Sequence, residues 1–447
     1  MSTPPNHRRF ALLDVAVKGH EISLHYALSG GPDPEIAFCE RLVLPDALPA
    51  PDPREPRIAA LLDLLQRTFA VSYYKVCCPA EVRAEPAPAA VADYCDLLFG
   101  QGMGEFYYQN RIDFRDRVHF PRSSEALAPV QNGRSRAPER VLVLVGGGKD
   151  SVVAREVLRH AGVDATAFSL TNAPYISASA AAMGLPHWVV GRRLDPQLFA
   201  LNKRGALNGH VPISACVATV AVLCAELGGF GAVVSANERS ADQGNVRWLG
   251  RTVNHQWSKS SAFEQALNDV LQARLQAAPR YLSLLRPLSE LHISQLFLRE
   301  PRYFDAVTSC NTNFRVLSQG PITRWCGTCP KCVFVYLMMA AHAAPATLER
   351  IFGRELLHRP ENLGLLRELL GLSGKKPFEC VGTFEESRAA LLRLDELGRL
   401  SAPLQELCGE IRRLSPEAER LFAEEMTPRP VLDPLWQERL DAYLAAN

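Results

Sequence analysis

Residues 141–151 read VLVLVGGGKDS, and this stretch decides the fold of the domain around it. Its first five residues form an uninterrupted run of Val and Leu, which is typical of a buried strand in a parallel sheet. Three glycines follow, and residues 152–162 (VVAREVLRHAG) then carry apolar side chains at helical spacing before a terminal glycine. The stretch therefore predicts a strand, a glycine loop and a helix in direct succession.

A glycine loop at the start of a helix suits phosphate or pyrophosphate. Backbone N–H groups can approach the anion closely there, and the helix N-terminus adds a positive dipole end. Two nucleotide-binding signatures do not fit. The third glycine of G-x-G-x-x-G would fall on Ser151, and the Walker loop requires Ser or Thr where Asp150 follows Lys149. The alternative is a tight glycine turn that holds no ligand.

The sequence GGGKDS resembles the SGGxDS pyrophosphate loop (PP-loop) of the N-type ATP pyrophosphatases. Those enzymes cleave ATP to AMP and pyrophosphate and adenylate a substrate oxygen. One departure is visible, because Gly146 stands where that family has its first Ser. The resemblance implies an α/β fold with a parallel-sheet, adenine nucleotide alpha-hydrolase-like domain.

Composition indicates a soluble globular chain with several domains. The chain has 447 residues and a formal net charge of +1, so no global field would recruit nucleic acid or a membrane. The N-terminus lacks the apolar core of a signal peptide, and the longest apolar stretch, residues 213–225, is too short to span a bilayer. We therefore expect a cytoplasmic protein. The oligomeric state is left open.

The chain divides into four predicted regions. Residues 1–121 form an N-terminal α+β module with a strand hairpin, a helix at 57–68 and a strand-like run, VSYYKVCCP, from residue 71. Residues 122–139 are polar with Pro and Gly and indicate a linker. The pyrophosphatase-like domain occupies 140–335, and 336–447 is mostly helical.

A second strand is predicted at residues 165–170. Ligands of open parallel sheets bind beyond the carboxyl ends of the strands, so Ser169 and Leu170 are expected near the adenine of a bound nucleotide. A further strand, 232–235, leads into the densest polar stretch of the chain, 236–264. Two Trp and a His among so many polar groups favour a substrate site, and an ordered polar loop is the alternative.

Four cysteines, Cys310, Cys326, Cys329 and Cys332, have the spacing C-x15-C-x2-C-x2-C. Interlocked C-x2-C turns let thiolates converge into a tetrahedron, which indicates a structural zinc site. Four buried free thiols are the alternative. Another cysteine, Cys380, lies in a polar break, GLSGKKPFECVGTFEE, between predicted helices. That break is either a lid that contacts substrate or a plain connection.

Taken together, these motifs resemble the UDP-N-acetyl-α-D-muramoyl-L-alanyl-L-glutamate epimerase family, or MurL family, over nearly the whole chain. The resemblance rests on SYYK, GEFYYQN, VGGGKDS, SANERSAD, VNHQWSKS, WCGTCPKC and KPFECVGT. It implies an isomerase of peptidoglycan precursor synthesis that inverts the terminal glutamate of UDP-MurNAc-L-Ala-L-Glu. ATP and Mg²⁺ would be required, and AMP and pyrophosphate released, through an acyl-adenylate.

The resemblance also implies roles for individual residues. Pyrophosphate would be held by Gly146, Gly147, Gly148, Lys149 and Ser151, with Asp150 positioning magnesium. The substrate would meet Asn237, Arg239, Asn245, Arg247, Arg251 and Lys259. Candidates for proton transfer are His255, Glu238 and Cys380.

Two other functional classes fit parts of the pattern. The first is another PP-loop adenylating enzyme, such as a deazaguanine nitrile synthase or a tRNA thiolase. A tRNA enzyme should carry a basic surface, and the net charge of +1 argues against one. A thiolase needs a catalytic cysteine pair outside the zinc quartet, and Cys77 and Cys78 are adjacent and poorly placed for this role. The second class is a non-catalytic ATP-binding protein, which would release no pyrophosphate.

Overall fold

The computed structural model describes residues 6–124, 128–131, 137–314, 324–374, 376–415 and 417–447. The strands in these ranges are β1 (Arg9–Lys18), β2 (Glu21–Ser29), β3 (Ile36–Val43), β4 (Glu81–Arg83), β5 (Ala137–Leu144), β6 (Asp164–Ser169), β7 (His187–Val189), β8 (Gly191–Arg193), β9 (Phe230–Ser235), β10 (Val246–Trp248), β11 (Arg251–Val253) and β12 (Arg280–Ser283).

The α-helices in the same ranges are α1 (Pro56–Phe69), α2 (Val71–Tyr74), α3 (Ala89–Leu97), α4 (Gly104–Asn110), α5 (Lys149–His160), α6 (Pro174–Ala182), α7 (Pro196–Lys203), α8 (Ile213–Gly228), α9 (Ser261–Arg274), α10 (Glu290–Leu298), α11 (Pro330–Ala340), α12 (Pro345–Phe352), α13 (Pro360–Leu369), α14 (Phe384–Glu396), α15 (Ala402–Leu414), α16 (Leu421–Met426) and α17 (Pro434–Ala446).

The N-terminal sheet has the strand order β4-β1-β2-β3-β8. Strands β1, β2 and β3 form an antiparallel meander, so the predicted hairpin is confirmed. The strand-like interpretation of VSYYKVCCP is wrong, because residues 71–74 form the short helix α2. Tyr73 and Tyr74 are fully buried there. Tyr73 stacks on Tyr26 and Tyr74 meets Phe99 edge to face, so packing rather than β-propensity decides the backbone.

The central sheet is parallel throughout, with the order β12-β9-β5-β6-β7. The predicted strand, glycine loop and helix are β5, residues 145–148 and α5. The side chains of β5 alternate between two cores. Val141 and Val143 pack in a core with α5 and the C-terminal helices, while Leu142 packs on the opposite face with α8. Burial on both faces explains the continuous apolar run in the sequence.

The N-terminal sheet and the parallel sheet share a hydrophobic core. Helices α1 and α8 both contribute to it, and β8, which follows the parallel strand β7, joins the N-terminal sheet beside β3. An ion pair between Arg57 and Glu226, with Nε–Oε1 at 2.8 Å, also links α1 to α8. The packing is therefore continuous across the predicted boundary at 121–140. Residues 125–127 and 132–136 of the predicted linker lie outside the described residues.

The C-terminal part of the described chain is helical, as predicted. Helix α11 is almost wholly buried between α10, α13 and α14, and the later helices complete the core that covers one face of the parallel sheet. Within the described ranges, none of the helices combines the length and apolar character that a bilayer crossing requires.

Candidate active site

A cavity of about 390 Å³ opens at the carboxyl edge of the parallel sheet. This is the edge at which ligands of open α/β sheets bind. Its lining residues come from the glycine loop, from the ends of β6 and β9, and from segments that fold over them. Ten predicted site residues line it: Gly146, Gly148, Asp150, Ser151, Ser169, Leu170, Asn237, Glu238, Lys259 and Cys380. A larger hollow of about 840 Å³ lies along α9, but no glycine-loop residue lines it.

The glycine loop turns from β5 into α5 with little space for side chains. Gly147 has a φ of +83°, and a Cβ there would lie 3.4 Å from the carbonyl oxygen of Tyr175. At Gly148, the N-cap of α5, a Cβ would lie 3.0 Å from Ser309 Oγ. A Cβ at Gly146, in contrast, would meet no atom within 4 Å. A serine would therefore fit at 146, so the departure from the SGGxDS pattern has no steric cause.

Lys149 and Asp150 follow the loop but face different surroundings. Asp150 lines the cavity, whereas Lys149 is 1% exposed and its Nζ contacts both Asp150 and Glu290. Burial favours the neutral amine, but the two carboxylates outweigh it and raise the pKa of Lys149. Lys149 is thus held beneath the loop as part of a buried ion-pair network.

Lys331 completes this network and was not anticipated from the sequence. Its Nζ lies 3.1 Å from Glu290 Oε1, and the residue also lines the cavity. Burial opposes its charge, but Glu290 prevails and the pKa of Lys331 is raised. Burial likewise opposes ionisation of Glu290, but Lys149 and Lys331 lower its pKa to about 2. The network therefore holds two ammonium groups and two carboxylates, and Lys331 and Asp150 are the members that line the cavity.

Polar side chains follow the strand ends. Ser169 Oγ lies 2.9 Å from His187 Nε2, and the Asn237 amide donates to Ser235 Oγ at 3.0 Å and to Ser283 Oγ at 3.1 Å. These bonds fix Ser169 and Asn237 where β6 and β9 end. The cavity floor is therefore polar, and both of these side chains are hydrogen-bonded.

Cys380, Lys259 and Glu238 meet in the same cavity. Lys259 Nζ lies 3.3 Å from Cys380 Sγ. Burial disfavours the thiolate, but the Lys259 ammonium and a hydrogen bond from His255 lower the pKa of Cys380 to about 5. Burial, with the charge of Glu290 added, raises the pKa of Glu238. The cavity therefore holds a cysteine that ionises readily and a carboxyl group that holds its proton more strongly than an exposed glutamate does.

His255 lies behind Cys380 and connects it to the N-terminal module. Its Nδ1 is in short contact with Glu105 Oε2 on α4, and its backbone N–H donates to Asn245 Oδ1 at 2.8 Å. Burial opposes its protonation, but bonds to Cys380 and Glu105 outweigh burial and raise the pKa of His255 to about 9. His210 also faces Glu105, at 3.7 Å. Glu105 was missed from the sequence, although it lies within the GEFYYQN motif.

The remaining predicted substrate residues lie outside the cavity lining. Arg239 is paired with Glu425, with Nη2–Oε2 at 2.5 Å. Asn245 joins the β10–β11 hairpin to a distant loop, because its amide donates to the Pro377 carbonyl oxygen at 2.8 Å. Arg247 and Arg251 are exposed on that hairpin.

The hairpin forms part of a surface of aromatic and basic side chains, which we term the hairpin surface. Its exposed or half-buried members are Tyr108, Arg111, Arg247, Trp248, Arg251 and Phe378, and the buried ring of Phe114 packs against Trp248 and Arg251. The ring centroid of Tyr108 lies 5.7 Å from that of Trp248 and 5.3 Å from that of Phe378, and the Arg251 guanidinium lies 5.7 Å from the centre of the Phe114 ring. Phe378 is two residues from Cys380, so this surface adjoins the cavity-lining loop.

The four predicted zinc ligands converge. The sulfur atoms of Cys310, Cys326, Cys329 and Cys332 all lie within 4.8 Å of one another. Cys326 Sγ and Cys332 Sγ are 3.8 Å apart. Zn–S bonds of about 2.3 Å in a tetrahedron place sulfur atoms about 3.8 Å apart, so the quartet fits a zinc ion. Cys329 also caps α11, and Lys331 follows in the first turn of that helix.

Two family models and three named relatives match the chain. Residues 2–284 match the MurL N-terminal domain, and residues 306–416 match the MurL C-terminal domain. A UDP-N-acetyl-alpha-D-muramoyl-L-alanyl-L-glutamate epimerase from Salinispora tropica is 44% identical over 84% of this chain and 82% of its own. Epimerases of the same name from Xanthomonas oryzae pv. oryzae and a Micromonospora species are 40% and 42% identical, over 83% and 84% of this chain and 81% and 84% of their own.

No solved structure matches the chain. The two domain matches nevertheless cover most of the chain. Each of the three relatives aligns with more than four fifths of this chain and more than four fifths of its own length. The chain therefore belongs to the UDP-N-acetyl-α-D-muramoyl-L-alanyl-L-glutamate epimerase (MurL) family.

Proposed function

We propose that this protein is an ATP-dependent epimerase of peptidoglycan precursor synthesis. It inverts the terminal L-glutamate of UDP-MurNAc-L-Ala-L-Glu through an acyl-adenylate and releases AMP and pyrophosphate. The observation that carries the proposal is that the glycine loop and Cys380 line one cavity. A site for phosphate groups and a group able to move a proton are thus within reach of one bound substrate.

The proposed chemistry follows from the acidity of the α-carbon. Removing the α-proton beside a free carboxylate would create an enediolate with an additional negative charge. The amide nitrogen of the substrate glutamate cannot form the Schiff base that pyridoxal phosphate requires. Transfer of AMP to the α-carboxylate removes its charge and makes the neighbouring proton more acidic. The proton can then leave and return from the opposite face, after which hydrolysis regenerates the acid.

The residues present fit a bound ATP. The N-terminus of α5 and the glycine loop offer backbone N–H groups, and Lys331 and Lys259 add positive charge to the cavity wall. Asp150 presents a carboxylate beside the loop, which suits the oxygen preference of Mg²⁺. In this scheme Ser169 and Leu170 lie near the adenine. Magnesium would offset charge on the transferring phosphate groups.

The assay that tests the function uses purified protein, ATP, Mg²⁺ and UDP-MurNAc-L-Ala-L-Glu. Pyrophosphate and AMP should appear only when the dipeptide substrate is present, and chiral analysis after acid hydrolysis should find D-glutamate. Inversion that proceeds without nucleotide would contradict the adenylate route. Release of pyrophosphate without inversion would indicate a different adenylating enzyme.

We also propose a structural zinc ion in the cysteine quartet. Cys329→Ser should lower the zinc content from one ion per chain to near zero, because three thiolates rarely retain a structural site. Atomic emission spectroscopy measures this change. Cys39→Ser, on strand β3 and far from the quartet, is the matched control and should keep its zinc. A wild-type protein that is fully active after purification without zinc would contradict the proposal.

The hairpin surface is proposed to meet the nucleotide-sugar end of the substrate, because planar rings suit uracil and guanidinium groups suit a diphosphate. The double variant Arg247→Ala, Arg251→Ala should raise the KM for UDP-MurNAc-L-Ala-L-Glu by about tenfold or more, since each phosphate contact is charge-assisted. Steady-state kinetics with the full substrate and with MurNAc-L-Ala-L-Glu measure this effect.

The kcat and the KM for ATP should remain near the wild-type values in this variant. Arg193→Ala, which changes an exposed arginine on β8, is the matched control. An equal loss with both substrates would exclude a contact with the nucleotide end.

A further inference from the structure

Four side chains form a continuous chain of contacts from α4 of the N-terminal module to the cavity. Glu105 contacts His255, His255 interacts electrostatically with Cys380, and Lys259 Nζ lies 3.3 Å from Cys380 Sγ. Cys380 itself lines the cavity together with the glycine loop. Residues 105 and 255 are 150 positions apart in sequence, so the arrangement exists only in the folded protein.

We propose that Cys380 removes the α-proton of the terminal glutamyl residue, and that Glu105 is a positioning residue that holds His255 against the thiolate. This inference rests on the proposed function and assigns the proton-transfer step within it. The Cα–H bond breaks, an S–H bond forms, and the electron pair moves into the activated acyl group. Glu238, also in the cavity lining, delivers a proton to the other face and becomes a carboxylate.

The contacts explain why the thiolate would be ready before substrate binds. Lys259 and protonated His255 both place positive charge beside Sγ, with Lys331 adding to it, and together they outweigh the cost of burial. Glu105 faces the far side of His255 and stabilises its positive charge. A cysteine in such surroundings is a thiolate at neutral pH, and the thiolate is the reactive form.

His210 has a different part in this cluster. Its ring centroid is 4.5 Å from that of His255, and its Nδ1 is 3.7 Å from Glu105 Oε2. Burial, with the charges of His255, Lys259 and Lys75 added, lowers the pKa of His210 to about 3. A neutral His210 packs against the charged His255 ring without competing for Glu105, and this fixes which imidazole carries the proton.

The first test separates proton transfer from adenylation. In Cys380→Ala and Cys380→Ser, the rate of solvent deuterium incorporation at the glutamate α-carbon should fall roughly 100- to 10,000-fold, the range expected for loss of a general base. Both should still form AMP and release pyrophosphate with UDP-MurNAc-L-Ala-L-Glu. Cys39→Ser is the matched control and should exchange deuterium at the wild-type rate. A Cys380→Ala protein that exchanges deuterium normally overturns the proposal.

The second test does not depend on activity. Iodoacetamide should alkylate Cys380 of the resting wild-type protein with a half-maximal rate near pH 5, as followed by peptide mass spectrometry. In Glu105→Gln this midpoint should rise by about one pH unit or more, because His255 loses the carboxylate that favours its charged form. An unchanged midpoint in Glu105→Gln overturns the role of Glu105.

The outcomes distinguish this inference from the function on which it rests. A wild-type protein that releases no pyrophosphate with the dipeptide substrate would contradict the proposed function, while the alkylation result would stand by itself. A Cys380 variant that loses AMP formation together with deuterium exchange, yet keeps the wild-type melting temperature, would place Cys380 in adenylation and overturn its proton-transfer role.

Discussion

Asp150→Ala should abolish AMP and pyrophosphate formation, with a loss of at least about 1,000-fold. Asp150 is the carboxylate of the glycine-loop segment that lines the cavity, and it lies in the first turn of α5. A metal ion held there would contribute several kcal/mol of stabilisation to charge that develops on the phosphate groups, and each 1.36 kcal/mol is a factor of ten in rate. A discontinuous assay for AMP measures the change.

The fold should tolerate this substitution. A carboxylate in the first turn of a helix contributes about 0.3–1 kcal/mol through the helix dipole, so the melting temperature should change little. Lys149 retains Glu290 as its partner in Asp150→Ala. Asp269→Ala, on α9, is the matched control and should keep full activity. Full AMP formation by Asp150→Ala would contradict the assignment of the loop.

Glu290→Ala should destabilise the protein by about 3–5 kcal/mol, the cost of removing one partner from a buried ion pair. Glu290 is 1% exposed and is the shared partner of Lys149 and Lys331. The alanine variant would leave two buried ammonium groups without this carboxylate. Urea denaturation followed by tryptophan fluorescence measures the loss, and Glu438→Ala on α17 is the exposed control, expected within about 0.5 kcal/mol of wild type.

The same network predicts a pH dependence. Since the pKa of Glu290 is depressed from 4.5 to about 2, its contribution to stability is fully present above pH 4.5 and is lost as the pH falls towards 2. Glu290→Gln should lack this contribution, so its free energy of unfolding should fall less steeply than that of the wild type as the pH is lowered. A Glu290→Ala protein as stable as wild type would show that the lysines reach other partners or solvent.

The part of the fold that local sequence determines could be predicted. The run at 141–145 is apolar on both faces because both faces of β5 are buried, and Gly147 is needed for its positive φ. The cysteine quartet was also predictable, because two overlapping C-x2-C turns bring thiolates together within one short segment. In these cases most of the interacting residues are close together in the chain, and only Cys310 joins from an earlier segment.

Contacts between distant segments could not be predicted in this way. Lys149 follows the glycine loop, which suggests a contact with pyrophosphate, but its buried partner Glu290 lies 141 residues later. The contact of Lys149 with pyrophosphate stays a prediction. Lys331 lies between two cysteines whose spacing indicates zinc, and that spacing says nothing about the lysine. Glu105 lies within the GEFYYQN motif, but the motif does not indicate its partner, because His255 contacts α4 only in the folded chain.

The position of β8 in the N-terminal sheet determines when that sheet can be completed during protein synthesis. The outer edge of β3 pairs with residues 191–193, which follow β7 of the parallel sheet. An uncovered sheet edge is a template for pairing with other chains. While the ribosome is still translating the residues before 191, the amino-terminal meander has no intramolecular neighbour on that side. The five-stranded N-terminal sheet can therefore gain its last strand, β8, only after more than 40% of the polypeptide has been synthesised.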